Sequence, residues 1–123
     1  MLTFLTFLLL SIATLLPDSG VDASIDVSLI RYGKYSEFNA ERGDSVAVVD
    51  SKKVYLAIPE RQTIIREGVK KGTARYYKLT AICTSKYKKA VKASAAGYVL
   101  VVEVGGVKDY KTTDITDNII NNL

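Results

Sequence analysis

The chain has 123 residues, of which 48% are hydrophobic and 24% are charged, and its formal net charge is +4 at pH 7. A chain of this length forms one domain at most, since domains usually contain about 100 to 150 residues. It contains no histidine and a single cysteine, so it lacks the commonest general base and the commonest metal ligand. These absences disfavour most catalytic mechanisms, and we expect a non-enzymatic protein without a metal or cofactor.

The amino terminus has the features of an export signal. Residues 1–16 carry no charged side chain, Pro17 ends the apolar run, and small residues precede a cleavage point after Ala23. We therefore predict a signal peptide over residues 1–23 and a single exported β-rich domain over residues 24–123, either periplasmic or secreted. The alternative is an uncleaved N-terminal anchor, for which the apolar run is short because a membrane span needs roughly 20 residues.

The first half of the exported domain is predicted to consist of strands. Alternating apolar and polar side chains predict a strand over residues 25–32. A second strand is predicted over residues 46–49, and a four-residue turn joins it to a third over residues 54–58. Residues 63–66 are interpreted as a short edge strand, followed by a turn that contains Gly72.

The longest strand candidate covers residues 73–84. Cys83 belongs to the more apolar of its two faces, which indicates that the thiol packs in the core rather than reacting or pairing with a second chain. Residues 85–97 are predicted to form at least one or two helical turns before the next strand, and the alternative is an irregular connection.

A β-hairpin is the most regular pattern of the carboxyl-terminal part. Residues 98–104 and 107–112 are predicted to pair around a Gly-Gly turn. This register places Glu103 opposite Lys108, which creates a favourable cross-strand charge pair.

The fold class follows from these elements. Apolar residues at helical spacing beyond Thr113 predict a short closing helix. Six or seven strands at this spacing predict a mainly β protein, an antiparallel β-sandwich of which the immunoglobulin-like arrangement is one form. The competing interpretation is an α+β fold in which the helices pack on one face of a sheet.

Three functional hypotheses are considered, of which the third, a small hydrolase, would need a pocket with convergent titratable groups. Tyrosines support the first. We expect an exported domain that binds another protein through an exposed sheet edge or a tyrosine-rich face, because tyrosine is enriched where binding energy concentrates. The candidate anchors are Tyr32, Tyr35, Tyr55, Tyr76 and Tyr77. The competing interpretation is that most of these rings only cover the core.

Positive charge supports the second hypothesis. Residues 66–92 carry nine basic side chains against one acidic residue, Glu67. Such a segment attracts polyanions by Coulomb steering and counterion release, and for an exported protein an anionic envelope component fits better than nucleic acid. The candidate residues are Lys70, Lys71, Arg75, Lys78, Lys86, Lys88, Lys89 and Lys92. The competing interpretation is that the lysines keep an exposed face soluble and bind nothing.

Overall fold

The computed structural model describes residues 23–123, which contain six strands and four α-helices. The strands are β1 (Ser24–Ile25), β2 (Ile30–Tyr32), β3 (Val46–Val49), β4 (Leu100–Glu103), β5 (Val107–Lys108) and β6 (Thr112–Asp114). The α-helices are α1 (Ser51–Leu56), α2 (Pro59–Glu67), α3 (Ala74–Ser94) and α4 (Thr116–Asn121). Two 3-10 turns, Val27–Leu29 and Tyr35–Glu37, flank β2.

Four strands form the main sheet, in the order β2-β4-β3-β6. β3 lies parallel to β4, with Val46 opposite Leu100, and parallel to β6 on its other side. Helices α1, α2 and α3 connect β3 to β4, because adjacent parallel strands require a long crossover. β2 is antiparallel to β4, with an irregularity between Ile30 and Tyr32. β1 and β5 form a separate two-stranded antiparallel ribbon.

The sheet lies between two apolar clusters. Alternate residues of a strand point to opposite faces. Ala47 and Val101 pack with residues of α1, α3 and α4 into the larger cluster. Val46 and Leu100 pack on the other face with Ile30 and with residues of β1 and β5. The helices therefore cover one face of the sheet, and β1, β5 and the residues that flank β2 cover the other.

The predicted β-sandwich is wrong. The structure has an α+β fold with one four-stranded sheet and a small ribbon, and β3, β4 and β6 are parallel. Residues 54–58, predicted as a strand, lie largely in α1, and residues 63–66 lie within α2. Asp50 caps α1 by accepting a hydrogen bond from the Lys53 amide at 3.3 Å, and Pro59 is the first residue of α2. These helix-start signals outweigh the short apolar runs.

The predicted strand over residues 73–84 is also wrong, because these residues belong to α3. Cys83, Tyr87 and Ala90 are buried at intervals of four and three residues, which places them on one face of a helix. The helical turns predicted for residues 85–97 are the carboxyl-terminal part of this single helix.

Other predicted elements agree with the structure in part. The strand over residues 46–49 is confirmed as β3, and the closing helix is confirmed as α4. The first predicted strand is interrupted by a 3-10 turn. The hairpin is wrong: β5 pairs with β1 instead of β4, and Glu103 forms its ion pair with Arg31 instead of Lys108.

The predicted leader falls almost wholly on residues 1–22, which lie outside the described residues. The signal peptide, its cleavage after Ala23 and export of the domain therefore stay predictions. Within residues 23–123, no helix combines the length and the apolar character that a membrane span requires.

Asp114 stabilises the start of α4. Its carboxylate accepts a hydrogen bond from the Thr116 amide at 2.9 Å, and hydrogen bonds from the hydroxyl and amide of Thr116 hold the pKa of Asp114 below its ordinary value of 3.8. A carboxyl group with a lowered folded-state pKa stabilises the fold above its unfolded pKa, and this stability is lost as the pH falls through the folded value.

We therefore expect Asp114→Asn to lower the free energy of unfolding at neutral pH. The loss should be below about 1 kcal/mol, because interactions of an exposed charge are screened by water. Urea unfolding of both proteins should show the difference shrinking as the pH falls below 3.8 and through the lowered pKa of Asp114. A difference of constant size over this pH range would contradict the role given to the carboxylate.

Candidate functional site

Strand β2 lies at one edge of the four-stranded sheet. Within residues 23–123, β4 is the one strand that pairs with it. A free edge presents peptide N–H and C=O groups, to which an extended polypeptide can add as a further strand. This edge is therefore a candidate site for binding another chain.

A hydrogen-bonded network holds β2 against the rest of the fold. Arg31 Nε donates to Glu103 Oε1 at 3.0 Å. Glu103 also accepts hydrogen bonds from the Ser51 amide, at 2.8 Å to Oε2, and from the Ser51 hydroxyl. The Tyr87 hydroxyl bonds to Ser51 Oγ, and burial raises the pKa of this phenol, so it stays a neutral donor. Glu103 thus ties β2 and β4 to the start of α1 and to α3.

Large apolar side chains are exposed along the β2 segment. Val27, Tyr32 and Tyr35 are 58%, 38% and 47% exposed. A surface cleft of 570 Å³ lies beside Tyr32, and Tyr98 and Val99 also contribute to its lining. Exposed rings beside a free edge offer contact surface for the side chains of an added strand.

The opposite edge of the sheet, β6, has a different character. In the described part of the chain β6 pairs with β3 alone. The exposed residues there are Thr113 and Asp114, and Lys111 precedes them. Polar and charged residues on an edge oppose the addition of a strand. Of the two edges of the main sheet, β2 is therefore the better candidate.

The five predicted tyrosine anchors do not form one surface. Two lie at the β2 edge, as described above, and three lie elsewhere. Tyr55 is half-buried and stacks on Tyr87, with ring centroids 4.7 Å apart. Tyr76 and Tyr77 lie in the first turn of α3 in edge-to-face contact, with centroids 6.1 Å apart. The tyrosine-rich face of a long strand, one of the two surfaces considered, therefore does not exist.

The eight predicted polyanion-binding residues lie on α3 and in the loop before it. Arg75 and Lys86 are ion-paired, with Glu67 at 2.6 Å and Glu60 at 2.7 Å. Lys70 and Lys71 are exposed in the loop between α2 and α3. The other four share the exposed face of α3, and none has an ion-pair partner within residues 23–123: Lys78, Lys88, Lys89 and Lys92. We refer to these four residues as the lysine face of α3.

Cys83 packs in the core, as the sequence predicted, although on a helix instead of a strand. Its side chain is 2% exposed, and burial raises the pKa of the thiol. Both properties lower the fraction of reactive thiolate, so the structure favours a packing role over a chemical one.

Two residues of the β2 site were missed in the sequence. The predicted hairpin paired Glu103 with Lys108, so the ion pair between Glu103 and Arg31 was not predicted. Tyr98 was assigned to a strand and not to the lining of a cleft. Parallel pairing of β3 with β4 would have indicated the role of Glu103, because it brings the end of β4 beside the end of β3 and the start of α1. It would not have indicated Tyr98, which precedes β4.

No protein-family model matches the chain, and no curated protein or solved structure shows significant similarity to it. Its function is therefore inferred from the geometry of its surfaces.

Proposed function

We propose that the protein is a non-enzymatic, exported binding domain that engages another polypeptide by strand addition at β2. The observation that carries the proposal is the β2 edge, which is free within residues 23–123 and is flanked by the exposed rings of Tyr32 and Tyr35. A soluble protein normally protects such an edge with charge or covers it. Exposed aromatic residues at a free edge suit a surface that is covered by a partner.

Two kinds of contact support this function. Main-chain hydrogen bonds to β2 supply affinity that depends little on the sequence of the partner, while the cleft beside Tyr98 supplies selectivity for its side chains. The ion pair between Arg31 and Glu103 orders the edge before binding. An edge that is already ordered loses less conformational entropy on association.

Replacing both Tyr32 and Tyr35 by serine is expected to remove most of the binding. Truncation of an aromatic anchor typically costs about 2 kcal/mol or more, which corresponds to roughly 30-fold weaker binding. The tagged whole protein is used to capture partners from the envelope of the native cells, and quantitative mass spectrometry compares the recovered stoichiometric partner.

Tyr77→Ser is the matched control, because it removes an exposed tyrosine from α3 and leaves β2 unchanged. It should retain wild-type recovery. Recovery of the partner by the double variant at the wild-type level would contradict strand addition at β2.

The lysine face of α3 supports a second candidate function, binding of an anionic envelope component. α3 carries six basic residues and no acidic residue. Binding through such a face is electrostatic, so its affinity falls steeply as the salt concentration rises.

We expect binding to phosphatidylglycerol vesicles to weaken roughly tenfold or more between about 50 and 200 mM salt. Replacing all four residues of the lysine face by glutamine should abolish vesicle binding. Vesicle binding that does not depend on the salt concentration would contradict this function.

A further inference from the structure

Helices α1, α2 and α3 form a cavity that is separate from the β2 edge. Its volume is 260 Å³, and its apolar walls include Leu56, Ile64 and the ring of Tyr76. A cavity of about 150 Å³ with aliphatic and aromatic walls accommodates a benzene ring. The present cavity therefore has room for one ring and a short chain attached to it.

Two cations line the same cavity, Lys52 from α1 and Arg61 from α2. Neither forms an ion pair with an acidic side chain of the described residues. Glu60, which precedes Arg61 in the chain, is neutralised by Lys86 at 2.7 Å. The cavity therefore has an excess of positive charge, which favours a bound anion.

Thr80 also lines the cavity, and its side chain carries a buried polar group. Its hydroxyl oxygen is shielded from solvent and has no hydrogen-bond partner within residues 23–123. A threonine in a helix commonly bonds its hydroxyl to a carbonyl one turn earlier, and this one does not. Because a shielded polar group without a partner is costly, a rotation of the Thr80 side chain that brings its hydroxyl to a polar atom of a bound ligand recovers a hydrogen bond.

We infer that this cavity binds a small amphipathic carboxylate that places a ring against Leu56 and Ile64 and its carboxylate at Lys52 and Arg61. The apolar walls favour the ring, and the two cations favour the charged end. A small cavity with few, convergent polar groups is typical of a site for a small ligand. The site shares no residue with the β2 edge, so either proposal can fail without the other.

The probe for this site is 3-phenylpropionate, titrated into the whole protein and followed by amide chemical shifts. We expect saturable shifts concentrated at residues around the cavity, including Thr80 and Cys83. The dissociation constant should be roughly millimolar, as for other ligands of this size. The neutral analogue 3-phenylpropanol should bind at least about fivefold more weakly, because it lacks the charge-assisted contacts.

Substitutions separate the site from general attraction by a basic protein. Arg61→Gln is expected to weaken 3-phenylpropionate binding about tenfold, through the loss of a hydrogen bond to a charged group. Thr80→Val, which keeps the shape of the side chain, should weaken it to a smaller extent. Lys92→Gln removes the same charge from the distant face of α3 and should leave the constant within about twofold. The inference is overturned if acid and alcohol bind equally, if Lys92→Gln acts like Arg61→Gln, or if no saturable shifts occur.

Discussion

Replacing Gly33 by alanine is expected to destabilise the fold by about 3 kcal/mol or more. Gly33 has a φ of +92°, and an added Cβ would lie 2.1 Å from the carbonyl oxygen of Val99. Gly33 follows β2 and Val99 precedes β4, so the close approach of these two residues fixes the position of β2 beside β4. Because total stability is typically about 5 to 15 kcal/mol, a loss of this size removes a large fraction of it. Urea unfolding monitored by circular dichroism measures the change.

Gly43→Ala is the matched control for this prediction. Gly43 also has a positive φ, +77°, but no atom lies within 4 Å of an added Cβ. The control therefore carries the backbone strain without the collision, and it should cost about 1 kcal/mol. Equal losses in the two variants would show that β2 is not held by the approach of Gly33 to Val99.

Replacing Ile119 by alanine is expected to cost about 3 kcal/mol. Ile119 lies in α4 with no exposed surface, and it belongs to the cluster between the helices and the sheet. Truncation of a buried isoleucine loses its transfer free energy and leaves a cavity that the surrounding residues fill incompletely. The expected result is a lower urea midpoint with an unchanged slope of the transition.

Leu123→Ala is the control within the same terminal segment. Leu123 is 38% exposed and lies beyond α4, so its truncation should change the free energy of unfolding by less than about 0.5 kcal/mol. Comparable losses at the two positions would mean that α4 does not close the core in the way described.

The central strands were predictable from local pattern. Val46–Val49 is a short apolar run between polar residues, and β4 has a similar pattern. Their pairing was not predictable in this way. The Gly-Gly turn that follows β4 suggests a hairpin between β4 and β5, whereas β5 in fact pairs with β1. This pairing joins segments that are distant in sequence, and no local feature of either segment indicates it.

Helix α3 shows that the number of residues considered together decides whether a strand or a helix is predicted. Over residues 73–84, apolar side chains alternate well enough to suggest a strand. The helical spacing becomes clear only when Tyr87, Ala90 and Val91 are included. Thr73 also marks the start of the helix, because its hydroxyl accepts a hydrogen bond from the Tyr76 amide at 3.2 Å.

The candidate site was predictable in part. Composition alone singled out Tyr32 and Tyr35, along with the possibility of an exposed sheet edge. The position of these two tyrosines depends on the pairing of β2 with β4. The contact of Glu103 with Arg31 depends on where the parallel strand β4 ends. Both are tertiary relations, so the sequence indicated Tyr32 and Tyr35 but neither Glu103 nor the arrangement of the site.

Photo-crosslinking at β2 tests strand addition most directly. Benzoylphenylalanine is placed singly at position 32, 35 or 77 of the whole protein, the native cells are irradiated, and adducts are mapped by mass spectrometry. A polypeptide bound along β2 should give abundant adducts from positions 32 and 35 and few from position 77. Adducts that are absent from positions 32 and 35, or equally abundant at all three, would contradict binding of a partner at this edge.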